Sequence, residues 1–213
     1  MPSSALPLRV VEALKGNPVS LDLSRNSIGQ EGGKKIGRAL KQNSRLTHVN
    51  LSENRIGEEG GKEIGGALKL NGRWTHLNLG ANRIGNEGGK VIASALKDNC
   101  CLAHLDLSHN RIGEEGGKAI GGALKGNSCL AHLDLSDNRI GDEGGKEIGG
   151  ALKDNSCLTH LDLSGCYECI SGEVAKAFEK VLSTCNTLVH FGPSSMANVS
   201  DPVLWSLHSV LKT

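Results

Sequence analysis

Apolar and polar residues alternate over short stretches of this chain, then give way to a wider spacing, and the switch recurs every 28 residues. Residues 130–157, LAHLDLSDNRIGDEGGKEIGGALKDNSC, show both halves of the pattern. The opening L-x-x-L-x-L alternates with a period of two, which predicts a short strand. Further on, Gly144, Ile148, Ala151 and Leu152 fall at i, i+4, i+7 and i+8, one face of a helix. Glu143 stands at the start of that helix and Lys153 at its end, each matching the helix dipole. Asn155 follows at the place where a left-handed C-cap is expected, and the same Asn recurs at 17, 43, 71, 99 and 127.

A second asparagine series, Asn26, Asn54, Asn82, Asn110 and Asn138, keeps the same spacing. Units begin near 18 and then at 46, 74, 102, 130 and 158. The sixth holds two extra residues within CYECI, so the next strand begins at 188. One unit cannot bury its apolar stripe, but stacked units can. Leu133, Leu135, Ile140, Ile148 and Leu152 are then one layer of a continuous core. The strands must be parallel, because a crossover helix joins each to the next. Asn138 and its counterparts stand where the chain leaves the strand, and their amides can satisfy backbone groups that the bend would otherwise bury unpaired.

The run L-x-x-L-x-L-x-x-N-x-I-G-x-E-G followed by a helix resembles the leucine-rich repeat of the ribonuclease-inhibitor type over roughly residues 8–192, with six units. The resemblance implies an α/β fold: a right-handed solenoid, or horseshoe, with a parallel β-sheet on the concave face and α-helices on the convex face. That family includes inhibitors, immune sensors, GTPase regulators and actin-capping proteins, so the resemblance speaks for protein binding and leaves the partner open. This chain departs from the pattern in three places. Its helices carry doubled glycines (Gly60, Gly61, Gly65 and Gly66), Trp74 replaces a first leucine, and Cys166 replaces the sixth asparagine. Glycine on a helix flank lets helices approach closely, so a flatter arc is expected than leucine- and alanine-rich units would give.

The expected organisation is a single domain over 1–213. Residues 1–17 form an N-terminal capping helix around LRVVEALKG, 18–187 hold the six repeats, and 188–213 hold the last strand and a C-terminal capping helix. That last helix starts at Ser200-Asp201-Pro202 and carries an apolar stripe of Val203, Leu204, Leu207, Val210 and Leu211. The alternative is that the half-unit at the start marks a fragment of a longer array.

Composition narrows the function classes. With 24 basic and 23 acidic residues the net charge is +1, so no global field draws the chain to nucleic acid or to a membrane surface. Aromatic residues make up only 2%, which argues against a base-stacking platform. Seven cysteines without a disulfide-framework spacing favour a reducing compartment. The opening MPSSALPLRVVEALKGN lacks a basic region followed by an apolar one, and no apolar run reaches the roughly 18–20 residues of a span. A cytoplasmic monomer is expected.

The candidate site follows from strand alternation. His48, His76, His104, His132, His160 and, by extension, His190 share one slot and form a row about 4.8 Å apart. Two residues on, facing the same way, lie Asp22, Asn50, Asn78, Asp106, Asp134 and Asp162. Leucines between them point into the core, so both rows face out on the concave side. Three readings compete: solvated consensus copied with the unit, a surface that docks a protein, or a metal site at the square His104, Asp106, His132 and Asp134. Imidazoles that charge together repel, so acid sensitivity is expected. The slot before the ladder asparagine changes in every copy: Arg25, Glu53, Ala81, His109, Asp137 and Gly165. Variation among near-identical copies is where a partner would be read, or where exposed turn positions drift.

Other motifs point away from chemistry. Cys101, Cys129 and Cys157 share a slot that suits semi-buried packing. Cys166 and Cys169 have C-x-x-C spacing, but a structural zinc site wants four ligands and only Cys185 offers a third. The Gly-Gly-Lys strings lack the G-x-x-x-x-G-K-[ST] frame of a phosphate loop. No nucleophile–base pair or catalytic carboxylate pair is present, and no cofactor or metal is expected. The reading is a non-catalytic protein-interaction scaffold whose acidic concave face (Asp22, Glu53, Asp106, Asp134, Asp137, Asp162) suits a basic protein surface. The alternatives are a regulator of an enzyme, GTPase-activating or inhibitor-like, and a consensus-like designed array without an evolved ligand.

Overall fold

The computed structural model describes residues 18–166 and the backbone of 190–192. The capping helices expected at 1–17 and near the C-terminus, the helix of the sixth unit, Cys169 and Cys185 lie outside the described residues.

Strand and helix alternate along the described chain. The elements are β1 (Ser20–Asp22), α1 (Gly29–Leu40), β2 (His48–Asn50), α2 (Gly57–Leu70), β3 (His76–Asn78), α3 (Gly85–Asp98), β4 (His104–Asp106), α4 (Glu114–Leu124), β5 (His132–Asp134), α5 (Gly141–Ala151), β6 (His160–Asp162) and β7 (His190–Gly192). The seven described strands form one sheet in chain order, every pair parallel. Register never slips: His48 pairs with His76, His76 with His104, His104 with His132, His132 with His160 and His160 with His190. The fold is thus the right-handed α/β solenoid that the repeat predicts, with the sheet on its concave side and the helices outside.

Strands of three residues are too short to hold a sheet by themselves, and the ladder runs well past them. Thr75 N–H bonds Thr47 O (2.8 Å) ahead of β3. After β2, Leu51 N–H bonds Asn78 O (2.8 Å), Glu53 N–H bonds Gly80 O (2.8 Å) and Gly57 N–H bonds Asn82 O (2.9 Å). Each unit is therefore tied to the next from before the strand to the first turn of its helix.

The predicted core layer is buried: Leu133, Leu135, Ile140, Ile148 and Leu152 are all almost inaccessible, and their counterparts repeat the layer along the solenoid. Each such side chain contributes on the order of 1.5–3 kcal/mol relative to exposure. Trp74 takes the leucine slot with no exposure at all, its indole N–H buried without a hydrogen-bond partner.

Glycine seats one helix on the next, the close approach expected from the doubled glycines. A Cβ on Gly33 would stand 3.3 Å from the Gly60 Cα, and one on Gly121 only 2.6 Å from the Glu147 carbonyl carbon and 2.7 Å from the Ile148 nitrogen. The backbones touch where other residues would hold them apart.

Two readings need correction. The Asn43, Asn71, Asn99, Asn127 and Asn155 series does not supply left-handed C-caps: Asn71 (φ −102°, ψ 112°) and Asn99 (φ −85°, ψ 122°) are extended, and none of the five has positive φ. Their side chains do the work instead. Asn127 Oδ1 accepts from the Cys129 and Leu130 N–H groups (3.0 and 2.8 Å), while its Nδ2 donates to Leu96 O and Asn99 O (2.7 and 3.1 Å). They make a second asparagine ladder, on the edge where helices return to strands. Also, α5 ends at Ala151, so Lys153 falls in the following turn and not in the helix.

Candidate functional site

The concave site is built by the first asparagine ladder and by strand alternation. The ladder asparagines Asn54, Asn82, Asn110 and Asn138 are buried and bond to the neighbouring units. Asn82 Nδ2 donates to Leu51 O, Leu79 O and Gly80 O (2.8, 3.0 and 3.1 Å), and its Oδ1 accepts from Asn54 N–H and Ile56 N–H (3.0 and 3.2 Å). This clamp holds the residues on either side in left-handed backbone: Glu53 (φ 58°), Arg55 (φ 56°), Ala81 (φ 57°) and Arg83 (φ 60°). Non-glycine residues in that region carry strain of about 1 kcal/mol or more each, which the buried ladder offsets. At the sixth unit the Cys166 thiol donates to Leu135 O (3.2 Å).

The histidine row forms as the register dictates, and the rings stack. From His48 to His160 successive ring centroids are 4.2, 4.1, 4.1 and 4.0 Å apart, with interplanar angles of 12°, 8°, 20° and 14°. A preceding threonine fixes the tautomer in three of the five. Thr75 Oγ1 donates its one proton to Thr47 O (3.1 Å), so its 2.9 Å contact with His76 Nδ1 is donated by the imidazole. Thr47 does the same for His48 and Thr159 for His160. In the neutral ring this leaves Nε2 as the acceptor nitrogen of His48 and His76. Ala103 and Ala131 precede the other two, and His132 Nδ1 is buried without a hydrogen-bond partner.

Burial holds His76, His104 and His132 below the ordinary histidine range, and neighbouring imidazoles push the same way: His48 and His132 on His76, His76 foremost on His104, and His160 on His132.

The Asp/Asn row has a structural duty that alternation did not reveal. Each residue turns its Oδ1 onto the backbone N–H two residues ahead: Asp22 to Ser24 (2.9 Å), Asn50 to Ser52 (3.1 Å), Asn78 to Gly80 (2.9 Å), Asp106 to Ser108 (2.9 Å), Asp134 to Ser136 (2.8 Å) and Asp162 to Ser164 (2.8 Å). These bonds end the strands. The Ser24 backbone N–H holds Asp22 below the usual carboxylate range. Asp134 goes the other way: burial raises it, opposed by its bonds to Ser136 and reinforced by the charges of Asp106 and Asp162.

Between the two rows runs a groove of about 420 Å³, crossing the strands and lined by the five histidines and by Asn50, Asn78, Asp106, Asp134 and Asp162. All ten of these candidates are brought together. The variable slot lies just outside, and its side chains pair with each other. Arg25 grips Glu53 (2.7 Å) and His109 Nε2 meets Asp137 Oδ2 (3.1 Å). The slot reads as an Arg25–Glu53 ion pair and a His109–Asp137 contact with Ala81 between them, a pattern invisible until the units are stacked. No group of three or more His, Cys, Asp or Glu among the described residues is arranged to hold a metal ion. Cys101, Cys129 and Cys157 are half-buried, as their shared slot suggested.

Comparison with known proteins agrees with this architecture. The chain matches the Leucine Rich repeat family over residues 19–37, 42–65, 75–93, 98–121, 126–149 and 154–167. Among solved structures it is similar to Leiomodin-1 Actin-Binding Site 2, at 22% identity and a TM-score of 0.61, over 72% of this chain and 87% of that one. It is also similar to the tropomodulin C-terminal domain of Caenorhabditis elegans, at 11% identity and a TM-score of 0.58, over 71% of this chain and 91% of that one. A search of curated proteins gave no matching sequence. Six matched segments in step with six stacked units leave one assignment: the chain belongs to the leucine-rich repeat family.

Proposed function

We propose that this protein is a non-catalytic scaffold, a cytoplasmic monomer, that binds a basic protein segment in its concave groove. The groove itself carries the reading. The histidine row lines it beside Asp106, Asp134 and Asp162, which stand in consecutive units. A lining of acceptors and carboxylates suits a ligand rich in donors and positive charge. The solved leiomodin structure bears the name of an actin-binding site, so the same architecture serves protein binding there. The likeness lies in the fold, and the concave residues of this chain set their own preference. Five free cysteines, Cys100, Cys101, Cys129, Cys157 and Cys166, fit a reducing compartment. No helix among the described residues is long and apolar enough to cross a membrane.

The test uses a fluorescein-labelled peptide of alternating Arg and Ser, with a Glu–Ser peptide as control. Fluorescence anisotropy at low salt is expected to show binding of the basic peptide alone, weakening as salt rises. Changing Asp106, Asp134 and Asp162 together to Asn removes charge and keeps the turn bond, because Asn50 and Asn78 already make it. That variant is expected to lose the peptide. Equal binding by both proteins, or none by either, would overturn the reading.

A further inference from the structure

The repeat is broken in one place on the concave rim, and the break makes a hollow. Where other units carry Ser24, Ser52, Ser108, Ser136 and Ser164, the third carries Gly80. The next slot, charged or polar in its neighbours, is Ala81. Both changes remove side-chain volume, and they are adjacent. The result is a hollow of about 470 Å³ lined by Glu53, Asn78, Gly80, Ala81, Asp106 and His109, with Ser52 and Ser108 beside them.

Two carboxylates open on this hollow with an oxygen to spare. Arg25 spends both its contacts on the Oε1 of Glu53 (Nε at 2.8 Å, Nη2 at 2.7 Å), and Oε2 bonds no other described residue. Asp106 gives Oδ1 to the Ser108 N–H and hydroxyl (2.9 and 2.7 Å), and its Oδ2 likewise bonds no described residue. Ser108 Oγ stands 3.0 Å and both Asp106 carboxylate oxygens 3.2 Å from where a Cβ on Gly80 would be, so the glycine lets the Asp106 carboxylate and the Ser108 hydroxyl close onto the backbone at the edge of the hollow. The hydroxyl protons of Ser52 and Ser108 are already spent on Asn50 and Asp106 (2.9 and 2.7 Å), leaving lone pairs. His109 is engaged with Asp137 on the far side.

We propose that this hollow is a specificity pocket for one cationic side chain, an arginine or lysine of the partner, held between Glu53 and Asp106. The inference rests on the concave-face reading and fixes where along the face the partner is registered. The histidine row repeats from His48 to His160 and the carboxylate row runs unbroken from Asp106 to Asp162, which allows a basic segment to slide by one repeat. A pocket at the Gly80–Ala81 departure gives such a segment a fixed point. A guanidinium suits it best, since its planar fork can bridge two carboxylates.

The experiment is an amide NMR titration of the full chain with N-acetyl-arginine amide at low salt. N-acetyl-citrulline amide serves as the neutral ligand of the same shape. The expected result is saturable shifts centred on Gly80, Ala81, Ser108 and His109 with the arginine ligand and none with citrulline. Ala81→Arg places a tethered cation in the pocket, and Arg25 shows that the slot accepts arginine in the same left-handed backbone. That variant is expected to weaken the titration by roughly tenfold or more, as loss of a charge-assisted contact would. Shifts centred on Leu133, Asp134 and Leu161 with Gly80 unmoved would overturn the pocket and leave the basic-groove reading standing. Equal shifts with citrulline, an unchanged titration by Ala81→Arg, or no shift at all would overturn the pocket as well.

Discussion

Asn110 reaches back one repeat to Asn82: its Oδ1 accepts the Asn82 backbone N–H at 3.1 Å and the Ile84 N–H at 3.2 Å, while its Nδ2 donates to Leu79 O (2.8 Å) and Ser108 O (2.9 Å). Every one of these partners is backbone, and Asn110 is fully buried. Asn110→Ala would strand two donors and two acceptors at once. A cost of about 3 kcal/mol or more is expected, read as a lower urea midpoint with an unchanged slope. The sixth unit offers the reverse experiment. Cys166 stands in the asparagine slot there and its thiol reaches Leu135 O, so Cys166→Asn, which exchanges a weak thiol donor for an amide, is expected to stabilise by about 1 kcal/mol. A neutral result for Asn110→Ala would mean the ladder is decorative.

Neighbouring glycines in α4 should respond in opposite directions. At Gly122 an added Cβ meets nothing within 4 Å, so Gly122→Ala keeps only the gain in helix propensity, about 0.5–1 kcal/mol. At Gly121 the same atom meets the backbone of Glu147 and Ile148 at 2.6 and 2.7 Å, and backbone cannot rotate away. Gly121→Ala is expected to cost about 1–3 kcal/mol despite the better propensity. Thermal denaturation of the two single variants decides it, and equal shifts would deny that glycine sets the helix approach.

The architecture was legible because it rests on periods. Leucine alternation gave the strands, the spacing of Ile148 and Leu152 from Gly144 gave the helix face, and the 28-residue repeat gave the register that stacks His76 on His104. Bonds between units were not legible, because they join residues a full repeat apart. Asn127 looked like a local C-cap, yet its Nδ2 bonds Leu96 O, 31 positions away. Glu53 and Arg25 looked like drift, and their pairing needs the stacked register to be seen. The left-handed backbone at Ala81 could not be read from an alanine, which has no preference for it. Ala81 stood out only as one member of the variable slot, and the hollow beside it and Gly80 is seen only once the neighbouring units are stacked.

The paired side chains of the variable slot give a separate test of what that slot is for. Both pairs are exposed, with Arg25 and Glu53 side chains at 77% and 47%. Exposed pairs of this kind contribute little to stability. Glu53→Gln is therefore expected to leave the urea midpoint unmoved while weakening the arginine ligand at the Gly80 hollow. A large loss of stability would instead make the slot structural.

Acid should loosen the histidine stack. His76, His104 and His132 have folded values below the ordinary 6.5, chiefly through burial. Well above 6.5 both folded and unfolded chains carry neutral rings, and full stability is present. As pH falls through about 6.5 the unfolded chain takes up protons first, so stability declines until the folded rings protonate in turn. Asp134 has the opposite sign: its raised folded value lets the native chain take the proton first, but only nearer the carboxylate range. The loss from the histidines is therefore expected as pH falls from 7.5 to 5.5. Urea denaturation at the two values should show the lower midpoint at 5.5. Changing His76, His104 and His132 together to Gln should flatten the difference, since glutamine has no proton to gain. A native chain already flat over that range would mean that stacked rings 4.1 Å apart charge without penalty.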